Sequence, residues 1–222
     1  MNIDLAGASL RLVAGDAVGA PGEHLDTAVD KVAAQAGAGG IHLTDNDALT
    51  VGAISAVSFS RVQSSGAALI RDDASLTGLV TASGDGNIVQ QTLDGNLTVA
   101  VPVGANGNGN IRLVAGGVGM NLEIRSVVRS QTGHIILIGG MDVTQSPAGA
   151  ITTSGGSIYA IAIGGSILMN NGATATSGGG SILFEAAANV GIGGLNAGLG
   201  SVSVIAAMGS IIDNGDTHRD VR

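Results

Sequence analysis

Along most of this chain a glycine is followed by one small or polar residue and then by an alternating apolar run. The pattern is plainest at Gly86-Asn87-Ile88, Gly109-Asn110-Ile111, Gly133-His134-Ile135, Gly156-Ser157-Ile158 and Gly180-Ser181-Ile182. Their glycines lie 23, 24, 23 and 24 residues apart. Side chains of a strand alternate between two faces. Ile111, Leu113 and Ala115 are therefore predicted to point inward, and Asn110, Arg112 and Val114 outward. A fixed period of this size predicts a solenoid, in which each repeat is one coil resting on its neighbours.

Each coil divides further. A second strand start falls about nine residues after the first, as in Gly95-Asn96-Leu97, Gly165-Ser166-Ile167 and Gly209-Ser210-Ile211. A third short segment closes the turn, as in Ala150-Ile151-Thr152-Thr153 or Ala173-Thr174-Ala175-Thr176. The predicted fold is all-β, a single-stranded parallel β-helix with about three short strands per coil, forming one β-solenoid over residues 1–222. Corners at Gly, Asn and Asp suit positive φ, which glycine adopts without steric penalty. Nine or ten coils stacked at about 4.8 Å would form a rod on the order of 45 Å long.

Before Gly86 the register loosens. Gly15, Gly40 and Gly66 are the candidate corners, with strands near Leu10–Ala14, Ile41–Thr44, Leu49–Val51, Val57–Phe59 and Ala68–Ile70. Leu25, Ala28, Val29, Val32 and Ala33 also fit one face of a helix capped by Gly37. A longer repeat favours strand: Arg11-Leu12-Val13-Ala14-Gly15 recurs as Arg112-Leu113-Val114-Ala115-Gly116. In the second copy the following segment, Leu122–Val127, is too rich in β-formers for a helix. The solenoid is thus expected to contain two related halves, about 1–108 and 109–222. The first and last segments read as ordinary coil sequence without a polar cap, which predicts head-to-tail stacking with further copies.

Composition narrows the function. With 38 Gly, two Phe, one Tyr and no Trp, the interior must be filled by aliphatic side chains. A net charge of −8 argues against nucleic-acid binding and against adsorption to anionic lipid. Without cysteine there are no disulfides or thiolate zinc sites. The segment after Met1 lacks the basic and apolar regions of a signal peptide, and no apolar run is long enough for a membrane helix. Three aromatic residues cannot supply the girdles of an outer-membrane barrel. A cytosolic protein or a piece of a longer exported chain remain, and the missing caps favour the second.

The Gly-Ser-Ile and Gly-Asn-Ile strand starts, Arg112-Leu113-Val114-Ala115-Gly116, and Gly40-Ile41-His42-Leu43 leading to Asp47-Ala48-Leu49-Thr50-Val51-Gly52 carry a resemblance. They resemble the repeat regions of giant bacterial exoproteins of the filamentous-haemagglutinin and large-adhesin type. The resemblance covers most of the chain. It implies a right-handed β-helix exported to the cell surface, working as a stalk or fibre. The family's amino-terminal secretion domain is not in this sequence, so export is implied for a longer parent chain. The sequence also lacks Gly-Gly-x-Gly-x-Asp nonapeptides, a departure from calcium-loaded coils.

Candidate chemistry is sparse. Asp45, Asp72 and Asp94 are 27 and 22 residues apart and could stack into an acidic, Ca²⁺-binding stripe. The plainer reading of these residues, and of Asp47, Asp73 and Asp85, is solvated corners. Asp213-Asn214-Gly215-Asp216 has the start of a calcium loop without its distal Glu. His24, His42, His134 and His218 fall in different coils and read as structural, with His42 and His134 facing outward. Tyr159, Phe59 and Phe184 do not make a sugar platform, and Gly104–Gly109 is a turn. Thr152-Thr153 and Thr174-Ala175-Thr176 would stack as in an ice-binding face, over two coils only. No catalytic residue, cofactor or metal is expected. The leading expectation is a structural, non-catalytic filament segment at the cell surface or outside the cell, whose partner is itself, end to end and side by side. The alternatives are a glycan- or ligand-binding adhesin module, with recognition in the irregular loops of residues 16–40 or 60–86, and a β-helix polysaccharide-active enzyme.

Overall fold

The structure is a computed structural model that describes residues 2–215 and 220–221. It is a β-solenoid of about nine turns with ~23 residues per turn, and no helix occurs among the described residues. Three parallel faces climb together. The long face stacks five-residue strands in unbroken register: Ile88–Thr92, Ile111–Ala115, Ile135–Gly139, Ile158–Ala162, Ile182–Ala186 and Val202–Ala206. The second face stacks Leu97–Val99, Leu122–Ile124, Val143–Gln145, Ile167–Met169, Val190–Ile192 and Ile211–Asp213. The third runs through Val103–Ala105, Val128–Ser130, Ile151–Thr152, Thr174–Thr176 and Gly194–Asn196.

The alternation read from the sequence puts equivalent side chains in columns. Ile41, Ile88, Ile111, Ile135, Ile158 and Ile182 form one inner column, each at most 1% exposed. Burying such a side chain is worth about 1.5–3 kcal/mol, so the column is a main source of stability. Beside it run Leu43, Gln90, Leu113, Leu137, Ala160 and Phe184. Val202, Val204 and Ala206 continue the columns half-buried, and Ile211, in register with buried Val190, is 51% exposed.

The periodic glycines have a different cause from the one expected. At Gly37, Gly86, Gly109, Gly133, Gly156, Gly180 and Gly200 a Cβ would come within 2.0–2.4 Å of the carbonyl oxygen of the corner glycine one coil earlier. None of these seven has positive φ. Positive φ falls two residues before, at Gly84, Gly107, Gly178 and Gly198, where the chain turns. Close stacking of successive corners therefore explains the 23-residue glycine.

The polar residue after each corner glycine also has a defined task. Asn87 Oδ1 accepts from Asn110 N at 2.8 Å, Asn110 Oδ1 from His134 N at 2.8 Å, and His134 Nδ1 from Ser157 N at 2.9 Å. A second ladder, Asn96 to Asn121 to Asp142 to Ser166, climbs the next corner. Hydroxyls close the third corner from inside. Ser130 Oγ donates to Gly109 O at 2.7 Å and accepts from Gly133 N at 2.9 Å, and Thr153 does the same one coil on.

Before Gly86 the chain departs from its period. Leu25–Ala36 is a strand, not a helix, and it serves all three faces at once, pairing with Leu43–Asp45, Thr50–Val51 and Leu79–Thr81. Ile3–Val13 lies on its other side. Arg11-Leu12-Val13 thus runs beside Ala33-Ala34-Gln35, whereas Arg112–Ala115 lies on the long face.

The 46 residues after Gly40, through Gly86, have room for two coils but make one. The remainder leaves the stack as an antiparallel hairpin, Val57–Val62 against Ala68–Asp73, on a stem of Ala53–Ile54 and Leu76–Thr77. Gly66 (φ 82°) is in the hairpin turn and is not a coil corner. Both sides of this ribbon mix charged and apolar residues: Phe59 faces Arg71, and Ser60 faces Ile70. Neither side could join an aliphatic core. Arg11 ties the base of the hairpin to the first coil, donating from Nε to Ala74 O at 2.9 Å and lying 3.9 Å from Asp73.

Candidate functional site

One departure from the period builds a cleft. On the long face the second coil begins with Ala17–Val18 and resumes at Leu25, and the chain between them detours outward. Ala20 and Glu23 exchange backbone hydrogen bonds of 3.0 Å around Pro21-Gly22, with Gly22 at φ 83°. Proline followed by a left-handed glycine is the signature of a tight type II turn. Gly19, at φ 68°, lies so close to the next strand that a Cβ would be 2.2 Å from His42 O. The detour covers Gly40–Asp45, whose six residues are all buried, whereas later strands of this face leave alternate residues half-exposed.

The space beneath and beside the detour is a cleft of about 570 Å³. His24 and His42 are at one end and Arg112 and His134 further along, with Val89 and Ile136 on the floor. Val89, Arg112 and Ile136 follow His42 in register on successive coils, so the cleft runs along the stacking axis.

A polar relay fixes several of these groups. Arg112 donates from Nη1 to Gln91 Oε1 at 3.4 Å, and since arginine only donates, Gln91 must present its oxygen there. Gln91 Nε2 then donates to Thr44 Oγ1 at 2.9 Å. The Thr44 hydroxyl meets His24 Nδ1 at 2.9 Å. His134 accepts at Nδ1 from Ser157 N, so its proton is on Nε2, which is left as a donor.

His42 stands apart. It is 3% exposed, its ring centroid is 5.7 Å from that of His24, and neither ring nitrogen has a hydrogen-bond partner. Burial, and then the neighbouring His24, hold its pKa below the usual imidazole value, and the Gly39 backbone opposes this without a full hydrogen bond. Among the described residues no aspartate or glutamate lines the cleft. It therefore offers hydrogen-bond donors and positive charge, and it lacks the paired carboxylates of glycoside hydrolysis.

The three histidines that read as separate structural residues are thus brought together, and His42, expected to face solvent, is covered. His218 and Asp216 lie outside the described residues. The proposed acidic stripe does not form. Asp45 is 0% exposed inside the stack, Asp72 is on the hairpin, and Asp94 is at a corner, because the hairpin consumes the residues that would have put them on successive coils.

Asp45 instead accepts from Thr27 Oγ1 at 2.6 Å, Val29 N at 3.1 Å and Asp47 N at 3.1 Å. Burial raises its pKa, and these donors act against the rise. No group of three or more potential metal-binding side chains occurs among the described residues. Phe184 is core, Phe59 is on the hairpin, and Tyr159 donates outside to Glu185 Oε2 at 2.8 Å. Thr152 and Thr176 stack, but Arg129 and Asn196 flank them in the same column and break a threonine face. Of Gly104–Gly109, expected to be a turn, Gly104 and Ala105 belong to the third-face strand Val103–Ala105, and only residues 106–109 close the corner.

The signal for the cleft is local: Gly19, Pro21 and Gly22 form a turn in a coil that otherwise has the standard length. No protein family, curated protein or solved structure matches this chain.

Proposed function

We propose that the chain is a structural, non-catalytic segment of a surface or extracellular filament, stacking end to end with further copies of itself. The observation that carries this reading is the column of isoleucines kept in register through successive coils. Such a stack is a continuous hydrogen-bonded rod, suited to spanning distance and bearing load. In the last described coil Val202, Val204, Ala206 and Ile211 continue the inner columns, so the pattern that stacks one coil on the next runs unchanged through it. The outer long face carries Ile136, Ile138, Tyr159, Ile161 and Leu183, half-exposed and in adjacent rows, which favours side-by-side packing. Its resemblance to large exported adhesins supports a place at the cell surface. No helix among the described residues is long and apolar enough to cross a membrane.

The test is small-angle scattering and electron microscopy of the purified chain over a concentration series. Rods that lengthen in steps of one molecule support the reading. A compact particle of constant mass up to about millimolar concentration, where even weak contacts associate, refutes it. Replacing Ile211 and Ile212 by Lys is expected to stop the lengthening and leave the fold intact.

A further inference from the structure

We infer that the cleft beneath the Gly19–His24 detour binds an organic anion, a carboxylate carried on an apolar body. Four independent features converge on it. The first is charge. Arg112, His24, His42 and His134 line the cleft, and among the described residues no aspartate or glutamate does, in a molecule of net charge −8. A concentration of donors against the overall sign of the molecule selects for a negative ligand.

The second is His42. A buried polar group without a partner is destabilising and rare in folded proteins. Both nitrogens of His42 are in that state, although Thr44, Gln91 and His24 around it are all hydrogen-bonded. Neither nitrogen is accessible in this structure, so a ligand oxygen that supplies the missing acceptor for the His42 N–H must enter beneath the detour. Arg112 uses one of its five donors on Gln91 and keeps the others, and His134 Nε2–H is a further donor three coils along the cleft from His42.

The third is shape. The floor is apolar at Val89 and Ile136, Pro21 forms part of the rim, and the volume falls within the roughly 300–1,000 Å³ of small-molecule sites. The fourth is construction. The detour covers one strand that the regular coil would leave half-exposed, and Gly19 is the residue type its contact with His42 permits.

A cation fits poorly. His24 Nδ1 is engaged by Thr44, Arg112 repels positive charge, and no carboxylate is present to complete a coordination shell. A neutral sugar finds no aromatic platform among the lining residues.

The experiment is titration of the intact, isotopically labelled chain with octanoate, followed through the His24, His42 and His134 ring resonances. 1-Octanol, inorganic phosphate and Zn²⁺ are the comparison probes. Octanoate is expected to shift all three rings saturably below about 10 mM, a weak affinity by the standards of such sites. Arg112→Gln and His42→Val should each weaken binding about tenfold, the loss expected for one charge-assisted hydrogen bond. Valine already occupies the equivalent place on the next coil, so His42→Val should fold, and Arg112→Gln is a surface change that keeps folding separate from binding. Arg129→Gln, on the third-face strand Val128–Ser130 and away from this cleft, should change nothing.

Binding of 1-octanol as tight as octanoate overturns the anionic part of the inference. Phosphate binding with no response to octanoate overturns the apolar part. Saturable Zn²⁺ binding without any anion response, or no ring shift with any probe, overturns the whole. None of these outcomes bears on whether the chain forms rods.

Discussion

At the scale of single residues, three of the buried polar side chains, Gln90, Asp45 and His42, each answer differently to substitution. Gln90 is 0% exposed between Leu43 and Leu113, and its Oε1 has no partner. Gln90→Leu would continue the leucine column and remove that unsatisfied oxygen. It is expected to stabilise the fold by about 1 kcal/mol, read as a higher urea midpoint; a lower midpoint would show that the amide is needed. Asp45 is buried but holds three donors. Asp45→Asn would turn an amide N–H₂ toward a backbone N–H and lose roughly 1–3 kcal/mol at neutral pH.

The pH dependence of Asp45 follows from linkage. Its folded pKa is raised from 3.8. Between that value and the raised one the folded state holds more protons than the unfolded, so stability from this group falls as pH rises through the window. The advantage of wild type over Asp45→Asn should therefore be largest in acid and narrow toward neutrality. Urea midpoints of both proteins across that range check it, and a gap that widens with rising pH contradicts it. His42 differs from both, since nothing in the protein satisfies it.

At the scale of elements, the corner is the unit that sets the repeat. It needs a glycine where two backbones touch, an Asn, Asp, Ser or His to hydrogen-bond the next coil, and a hydroxyl underneath. Gly156→Ala places a Cβ 2.0 Å from Gly133 O, a backbone atom that cannot move aside alone. A loss of about 2–4 kcal/mol is expected, the size seen when strain is forced on a packed backbone. Gly104→Ala, with nothing within 4 Å and ordinary φ, should lie within about 0.5 kcal/mol of wild type. Thermal or urea denaturation of the pair decides between close approach and turn conformation as the cause of the glycine period. Equal losses at the two positions would defeat the close-approach account.

At the scale of the whole molecule, stability is quasi-one-dimensional, since each coil contacts the one before and the one after. Opening should begin where a coil has one neighbour. Amide exchange in the 222-residue chain is expected to be slowest in Ile135–Gly139 and Ile158–Ala162. It should be at least about tenfold faster in Val202–Ala206 and in the Val57–Asp73 hairpin, whose residues are almost all exposed. Uniform protection along the stack would mean that the molecule opens as one unit. End-to-end association would reveal itself here too, by raising protection in Val202–Ala206 as concentration increases.

The chain's pattern was enough to establish the solenoid, its period, its three strands per coil and the inward residues from Gly86 onward. Those features depend on neighbours in sequence and on identical neighbours one coil away, and a repeating sequence carries both. The strand at Leu25–Ala36 was also legible, through comparison with Leu122–Val127. What only the tertiary structure decided was how the 46 residues after Gly40 are shared between coil and hairpin. It also decided why the corner glycines are glycines and which outward residues are covered. His24, His42 and His134 are far apart along the chain and share no motif. They line one cleft because parallel stacking carries the same face of distant coils past one another, and because one short detour folds back over that face. Alternation fixes inside against outside, but coverage of an outer surface depends on where an irregular segment comes to rest, which the period does not encode.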